Sequence, residues 1–196
     1  METQQNSKIL VLDNYDSFTY NLVYLLKQIS PSSTVDVYRN DEIPISKVQQ
    51  YDKILLSPGP SLPKNAGILK ELIEKYADSK SILGVCLGHQ AIAEVFGASL
   101  FNMKEVLHGY EGKLKINDSS ESLFHQVEDG SRIGQYHSWS VDADSIPDCL
   151  KITAESKEGH IMGVSHTRYD VKGLQFHPES IMTEYGMQII KNWLYK

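Results

Sequence analysis

The sequence predicts an α/β fold, with a mostly parallel central sheet flanked by helices and a smaller set of mixed or antiparallel strands in the C-terminal half. In the first half, short continuous apolar runs alternate with segments of helical periodicity. Such runs are typical of parallel strands that helices cover on both faces. After Gly109 the pattern changes to short strand-like segments joined by turns, which indicates mixed or antiparallel pairing.

The predicted elements follow one another in a regular order. Asp16 is a suitable N-cap for the first helix, which ends at Ser30-Pro31. Ser57-Pro58-Gly59-Pro60 ends the third strand, because proline cannot donate to a ladder. The predicted strands cover residues 8–12, 35–38, 53–56, 81–85, 113–116, 150–154, 160–165 and 173–176, and the predicted helices cover residues 18–29, 68–76, 90–96 and 184–194.

The composition is that of an ordinary globular domain. The chain of 196 residues is 41% hydrophobic and 22% charged, and its net charge is -6 without a basic stripe, so neither nucleic acid nor a membrane surface is an expected partner. Residues 1–7 are polar and lack an apolar signal region. We therefore expect a disordered tail at 1–7, a single domain at 8–196 and a cytoplasmic location. The two cysteines do not make a disulfide framework, and no metal-ligand spacing is present.

Gly84-Val85-Cys86-Leu87-Gly88 is the strongest functional signal. It has the glycine spacing of the G-x-S-x-G nucleophile elbow, with Cys in place of Ser, and it lies between a predicted strand and a predicted helix. A helix N-terminus helps to hold a thiolate, and the N–H of Leu87 can help to bind an oxyanion. Without the flanking glycines Cys86 would be interpreted as a buried structural cysteine, as Cys149 is. Segments 13–17 and 57–61 also follow strands, so they are expected at the same edge of the sheet.

His177 is the best candidate for the base that a thiol nucleophile needs. It follows a predicted strand, and in an extended segment His177 and Glu179 would point to the same side, with Pro178 stiffening the link. Glu179 would then orient the imidazole. The alternative is that His-Pro-Glu is merely a turn. His89 is a rival because it lies three residues from Cys86, but no carboxylate is placed to orient it. His137 and His166 are interpreted as core or rim residues.

These motifs resemble those of the class I glutamine amidotransferases over nearly the whole chain after the polar start. The resemblance is greatest to component II of anthranilate synthase, and the glutaminase subunit of aminodeoxychorismate synthase is closely similar. Cys-Leu-Gly-His-Gln together with Phe-His-Pro-Glu-Ser is highly specific, and Asp-Asn-Tyr-Asp-Ser-Phe-Thr-Tyr-Asn indicates the chorismate-using branch. The matching segments are residues 13–22, 57–60, 84–93, 108–109, 136–138 and 175–181.

The resemblance implies a role for each site residue. Cys86 attacks the amide carbon of L-glutamine, His177 moves protons, and Glu179 orients His177. Gly59 and Leu87 supply N–H groups to the oxyanion. No cofactor is implied, and ammonia passes to a chorismate-using synthase subunit, anthranilate synthase component I, which docks near residues 13–17. The residues implied to bind glutamine are Gly59, Pro60, Ser61, Gln90, Ser138 and Trp139.

Several positions depart from the common pattern of the family. Ser61 stands where Gly is usual, Gln135 stands where Arg is usual, and Trp139 replaces Leu. Tyr110-Glu111-Gly112 follows His108-Gly109, where a Lys or Arg and a Ser or Thr are more usual. None of these positions belongs to the triad, so they bear on the rim of the glutamine pocket and on the partner surface.

Four hypotheses remain open at the level of the sequence. The favoured one is the glutaminase subunit of anthranilate synthase, in tryptophan biosynthesis. The second gives the same chemistry to aminodeoxychorismate synthase, in folate biosynthesis, or to both enzymes. The third, a cysteine peptidase or hydrolase, is disfavoured by Gln90 and Tyr136-His137-Ser138. The fourth, a regulatory subunit with a dead site, is disfavoured by the intact Cys86, His177 and Glu179.

Overall fold

The computed structural model describes residues 7–195. Of the predicted polar tail, residues 1–6 lie outside the described part, and the carbonyl of Ser7 accepts a hydrogen bond from the Thr34 N–H. The strands are β1 (Lys8–Asp13), β2 (Thr34–Arg39), β3 (Lys53–Leu56), β4 (Ser81–Val85), β5 (Leu100–Asn102), β6 (Tyr110–Ile116), β7 (Arg132–Gln135), β8 (Trp139–Val141), β9 (Leu150–Ser156), β10 (Ile161–His166) and β11 (Val171–Leu174). The α-helices are α1 (Thr19–Ile29), α2 (Leu69–Tyr76), α3 (Leu87–Val95) and α4 (Gly186–Leu194).

One nine-stranded sheet runs through both halves of the chain, in the order β2-β1-β3-β4-β11-β10-β9-β6-β7. The pairs from β2 to β11 are parallel, and those from β11 to β7 are antiparallel. A separate antiparallel pair joins β5 and β8. The predicted fold class is therefore confirmed, with β11 at the junction between the two parts. Because one sheet spans both halves, we propose a single domain over residues 8–196.

Helices cover both faces of the parallel part. Successive side chains of a strand point to opposite faces, so Leu10 and Leu12 pack in one core with α2 and α3, whereas Ile9 and Val11 pack in a second core with α1 and α4. Each of these strand side chains is fully buried, which contributes about 1.5–3 kcal/mol per residue. A slip of one residue would exchange the two sets, so the register of the strands and the position of the loops at their carboxyl ends are fixed.

The observed elements differ from the predicted ones at several points, and β11 lies at Val171–Leu174 where a strand over residues 173–176 was predicted. Asp16 is not the N-cap of the first helix: α1 begins at Thr19 with Phe18 at the N-cap, and the Asp16 carboxylate accepts the Phe18 N–H at 2.7 Å in the preceding turn. α3 begins at Leu87, before the predicted start at residue 90. The sequence analysis missed β5, β7 and β8, which are only three or four residues long. None of the helices in residues 7–195 has the length and apolar character that crossing a membrane requires.

Candidate active site

Cys86 lies in the turn between β4 and α3, with a φ of 52° and a ψ of -100°. L-residues rarely adopt these angles, so the surrounding structure must hold them. A Cβ added to Gly84 would overlap the backbone of Gly88, and a Cβ added to Gly88 would lie 2.6 Å from the carbonyl oxygen of Leu56. The glycines are required by this close approach, and the strand-to-helix turn has the strained form that the motif predicts.

His177 reaches the same place from the neighbouring strand. The Cys86 N–H donates to the carbonyl of Leu174 in β11 at 2.8 Å, and His177 follows three residues later. Nδ1 of His177 lies 2.6 Å from Oε1 of Glu179, and both side chains are buried. The segment is a turn rather than the extended strand that we expected, because the Ser180 N–H donates to the His177 carbonyl at 3.2 Å. His-Pro-Glu is thus a turn, and this turn brings the carboxylate back to the imidazole.

The surroundings of His177 favour its charged form. Burial by itself lowers the pKa of the imidazole, but the nearby Cys86 and Glu179 side chains outweigh burial and raise this pKa to about 10. Nε2 of His177 is buried and makes no hydrogen bond of good geometry with another atom of residues 7–195. An imidazolium that a carboxylate holds at Nδ1 can deliver its Nε2 proton to a substrate atom.

The rival histidines have different surroundings. Burial lowers the pKa of His89 to about 4 and that of His137 to about 3, so both are neutral at neutral pH. His166 is stacked on Tyr169, with the ring centroids 4.3 Å apart. Among the histidines of residues 7–195, His177 alone lies within ion-pair distance of a carboxylate. The structure therefore gives the thiol one oriented base candidate.

A pocket of about 160 Å³ opens beside Cys86. On one side of it, a Cβ added to Gly59 would lie 2.6 Å from the carbonyl oxygen of Asn14 and 2.7 Å from the Leu87 side chain. The two residues predicted to bind the oxyanion, Gly59 and Leu87, are therefore packed together. The pocket is lined by Cys86, Tyr136, His137 and all six residues predicted to bind glutamine, which are Gly59, Pro60, Ser61, Gln90, Ser138 and Trp139.

The structure adds Gln175 to this site. The Gln90 side-chain amide donates to the carbonyl of Trp139 at 2.8 Å and to Oε1 of Gln175 at 3.1 Å. Nε2 of Gln175 in turn lies 3.6 Å from Sγ of Cys86, and Gln175 is fully buried. The sequence analysis included Gln175 only as one letter of a motif, although its spacing of two residues from His177 could have indicated it. The contact to Trp139 uses a backbone carbonyl, so the Trp-for-Leu departure leaves it unchanged.

The structure bears on three departures from the family pattern. The φ of Ser61 is 67°, in the left-handed region that favours glycine, which explains why Gly is usual at this position. The Ser61 hydroxyl accepts a hydrogen bond from the Asn65 amide at 2.8 Å, which helps to hold the turn. Gln135 is fully buried, and a Cβ added to Gly112 would overlap its amide nitrogen. Gly112 thus makes room for Gln135, so these two departures complement each other.

Comparison with known proteins agrees with this geometry. The family model for class-I glutamine amidotransferases matches residues 10–196. The putative anthranilate synthase component II of Haemophilus influenzae is 42% identical over 187 residues, which are 95% of this chain and 95% of that protein. The aminodeoxychorismate/anthranilate synthase component 2 of Bacillus subtilis is 40% identical over 188 residues, again 95% of each.

A solved structure is similar over almost the same extent. A putative GMP synthase subunit from Thermoplasma acidophilum matches with a TM-score of 0.86 and 27% identity, over 97% of this chain and 93% of that one. The strained cysteine turn and the family match over nearly the whole chain agree. The chain therefore belongs to the class I glutamine amidotransferase family.

Proposed function

We propose that this chain is the glutaminase subunit of an anthranilate synthase and supplies ammonia to a subunit that converts chorismate to anthranilate. One observation carries the proposal: Cys86, in its strained turn, opens into the same pocket as all six residues predicted to bind glutamine. The His177–Glu179 pair beside it supports the assignment of Cys86 as the nucleophile. The alternative partner is aminodeoxychorismate synthase, because the name of the Bacillus subtilis relative joins both activities.

In the first half-reaction the Cys86 thiolate attacks the amide carbon of glutamine. A C–S bond forms, and the carbonyl electron pair moves to the oxygen, where the N–H groups of Gly59 and Leu87 bind the negative charge. His177, which Glu179 helps to keep protonated, gives its Nε2 proton to the amide nitrogen. The C–N bond then breaks, which leaves ammonia and a glutamyl thioester on Cys86.

In the second half-reaction water attacks the thioester carbon. Neutral His177 accepts a proton from this water, and collapse of the tetrahedral intermediate breaks the C–S bond. Glutamate leaves, and the Cys86 thiolate and protonated His177 are restored. The bond changes balance as glutamine plus water giving glutamate plus ammonia. Ammonia must leave by a route that avoids bulk water, which requires a partner over the mouth of the pocket.

An apolar rim around the site supports docking of the synthase subunit there. Ile181 is 98% exposed, and Tyr15 and Phe18 are 50% and 37% exposed. The Phe18 ring centroid lies 5.6 Å from that of Tyr136 and 6.3 Å from that of His177. Ile181 directly follows Ser180, whose hydroxyl lies 3.0 Å from that of Tyr136, so Phe18 and Ile181 both adjoin the site. Large apolar side chains that are exposed next to a site are typical of protein–protein interfaces.

The docking proposal is tested by substitution of the rim. Ile181→Asp should weaken complex formation with the synthase subunit by about tenfold or more, because it places a charge in an apolar contact. The rate of Cys86 alkylation in the isolated chain should stay the same. Tyr24→Asp is a matched control, since Tyr24 is 63% exposed near the middle of α1. Equal weakening by both substitutions would contradict docking at this rim.

Reconstitution tests the function itself. The chain is mixed with each candidate synthase subunit from the same source, chorismate and glutamine are added, and the product is identified. Anthranilate from one mixture only would support the proposal. Aminodeoxychorismate, alone or in addition, would favour the alternative partner or a shared subunit. Absence of glutamine hydrolysis in every mixture would contradict the glutaminase assignment.

The thiol chemistry also supports a cytoplasmic location, which we propose. Cys86 and Cys149 are both free, and a thiol nucleophile persists in a reducing compartment. Cell fractionation that recovers the chain in an oxidising compartment would contradict this location.

A further inference from the structure

We propose that Gln175 is a positioning residue that donates a hydrogen bond to the Cys86 sulfur and links it to the wall of the glutamine pocket. The proposal rests on the glutaminase function and names a residue outside the triad, the oxyanion groups and the glutamine-binding set. Gln175 directly follows β11 and is fully buried. Its Nε2 lies 3.6 Å from Sγ of Cys86, within hydrogen-bonding distance for sulfur.

The backbone carbonyl of Trp139 determines which end of the Gln175 amide faces the Cys86 sulfur. The carbonyl of Trp139 can only accept, so the Gln90 amide must present its NH₂ group at the observed distance of 2.8 Å. The same NH₂ group lies 3.1 Å from the Gln175 amide, which must therefore present its oxygen. The opposite end of the Gln175 amide is its NH₂ group, and that end faces Sγ. A flipped Gln175 would place two donors against each other and an acceptor against the sulfur.

A donor that faces the sulfur stabilises the thiolate more than the thiol. Hydrogen bonds to a charged acceptor are stronger than those to a neutral one, and they gain further where water is excluded, as around the fully buried Gln175. The same contact fixes Sγ relative to Gln90 and Trp139, which both line the pocket. A shift of that wall would turn the Gln175 amide and with it the donor on the sulfur.

A purely structural Gln175 would act through packing, and two substitutions separate these roles. Gln175→Met keeps an unbranched side chain of similar length but removes the donor. Gln175→Glu keeps the shape and the oxygen that accepts from Gln90, but it places a carboxylate oxygen against Sγ. The carboxylate of Gln175→Glu disfavours the charged sulfur by its own charge, so it serves as the reference for a maximal effect. Gln175→Met is the decisive substitution: if the donor matters it moves the Cys86 profile, and if packing alone matters it does not.

The readout is the rate of Cys86 alkylation by iodoacetamide as a function of pH, followed by mass spectrometry of each cysteine peptide in the full chain. The midpoint of this profile should move to higher pH by roughly one unit in Gln175→Met and further in Gln175→Glu. Cys149 serves as an internal reference, since its sulfur lies near the carbonyl of Phe96 and its profile should not move. Gln188→Met, which removes a side-chain amide on α4 that donates to Asn192, is the matched control and should leave the Cys86 profile unchanged.

The outcomes separate the two proposals. Unmoved midpoints in both folded Gln175 variants would overturn the role of Gln175, as would an equal shift in Gln188→Met. A smaller shift for Glu than for Met would also overturn it. If Gln175→Met does not fold, Gln175→Leu, which also lacks the donor and adds no charge, takes its place. A failure of the glutaminase function would be recognised in a different experiment. If Cys86 of the unsubstituted chain were completely labelled and the reconstituted complex still hydrolysed glutamine, the glutaminase role of Cys86 would be wrong, whatever the result for Gln175.

Discussion

Glu179→Gln isolates the charge that acts on His177. The substitution keeps an oxygen at the position of Oε1, which lies 2.6 Å from Nδ1, but it removes the negative charge from a side chain that is 1% exposed. A buried hydrogen bond to a charged group contributes about 1.5–3 kcal/mol. At about 1.4 kcal/mol per factor of ten, we expect kcat/KM for glutamine in the reconstituted complex to fall by roughly 10–100-fold.

The assay compares two nitrogen sources. Product formation from chorismate is measured with glutamine and then with ammonium salts, and the ammonium-dependent rate should not change. Cys86→Ser, measured in parallel, should lose the glutamine-dependent rate completely. Equal losses for the two variants would mean that Glu179 takes part in bond-making. An unchanged rate for Glu179→Gln would mean that the imidazole does not need this charge, and either result would refute the reasoning.

The same pair predicts how stability depends on pH. Despite burial, the pKa of His177 is raised from 6.5 to about 10, so the imidazolium stabilises the fold fully below pH 6.5 and this stability is lost as pH rises toward 10. Without the Glu179 charge the pKa of His177 in the folded state falls, so the stability that the imidazolium contributes is lost at a lower pH. Urea unfolding between pH 6.5 and pH 10 measures this loss in the unsubstituted chain and in Glu179→Gln. If the free energy of unfolding depended identically on pH in these two chains, the pairing of His177 with the Glu179 charge would be contradicted.

The remaining predictions concern single substitutions. Cys86→Ser should abolish glutamine-dependent synthesis and keep ammonium-dependent synthesis, and surviving glutamine use would exclude Cys86 as the nucleophile. Gly59→Ala should lower kcat for glutamine by about 100-fold or more, because its Cβ would lie 2.6 Å from a carbonyl oxygen and displace an oxyanion donor, while Cys86 alkylation should continue. Lys172→Met should destabilise the fold by about 3–5 kcal/mol in urea unfolding, since it leaves the Glu121 carboxylate buried beside it, with both side chains 6% exposed. A cost below about 1 kcal/mol would show that Glu121 becomes neutral or hydrated instead.

The local parts of the site could be predicted from the sequence. The turn at Cys86 was predictable because its causes, an apolar strand, two glycines and a helix, lie within a few residues of one another. The contact between His177 and Glu179 was predicted, but for the wrong geometric reason. A turn brings the two side chains together, and alternation along an extended strand does not.

The long-range parts could not be predicted without the topology. Gln175 matters through Gln90 and Cys86, which lie more than 80 residues earlier and reach it only because β11 pairs with β4. The short strands β7 and β8 were missed because three or four residues are too few to show a period. Asp16 has the chemistry of an N-cap, but its carboxylate holds the turn one step before the helix.

The insertion of β11 between β4 and β10 also sets the order in which a newly made chain becomes active. Cys86 leaves the ribosome about 90 residues before His177, and β4 can pair with β11 only after the intervening chain has been made. Until then the Cys86 N–H lacks its hydrogen bond to the carbonyl of Leu174, and the thiol lacks the side chains of Gln175 and His177 beside it. An incomplete chain thus carries the proposed nucleophile without its proposed base, and we expect no glutamine hydrolysis before the sheet is complete.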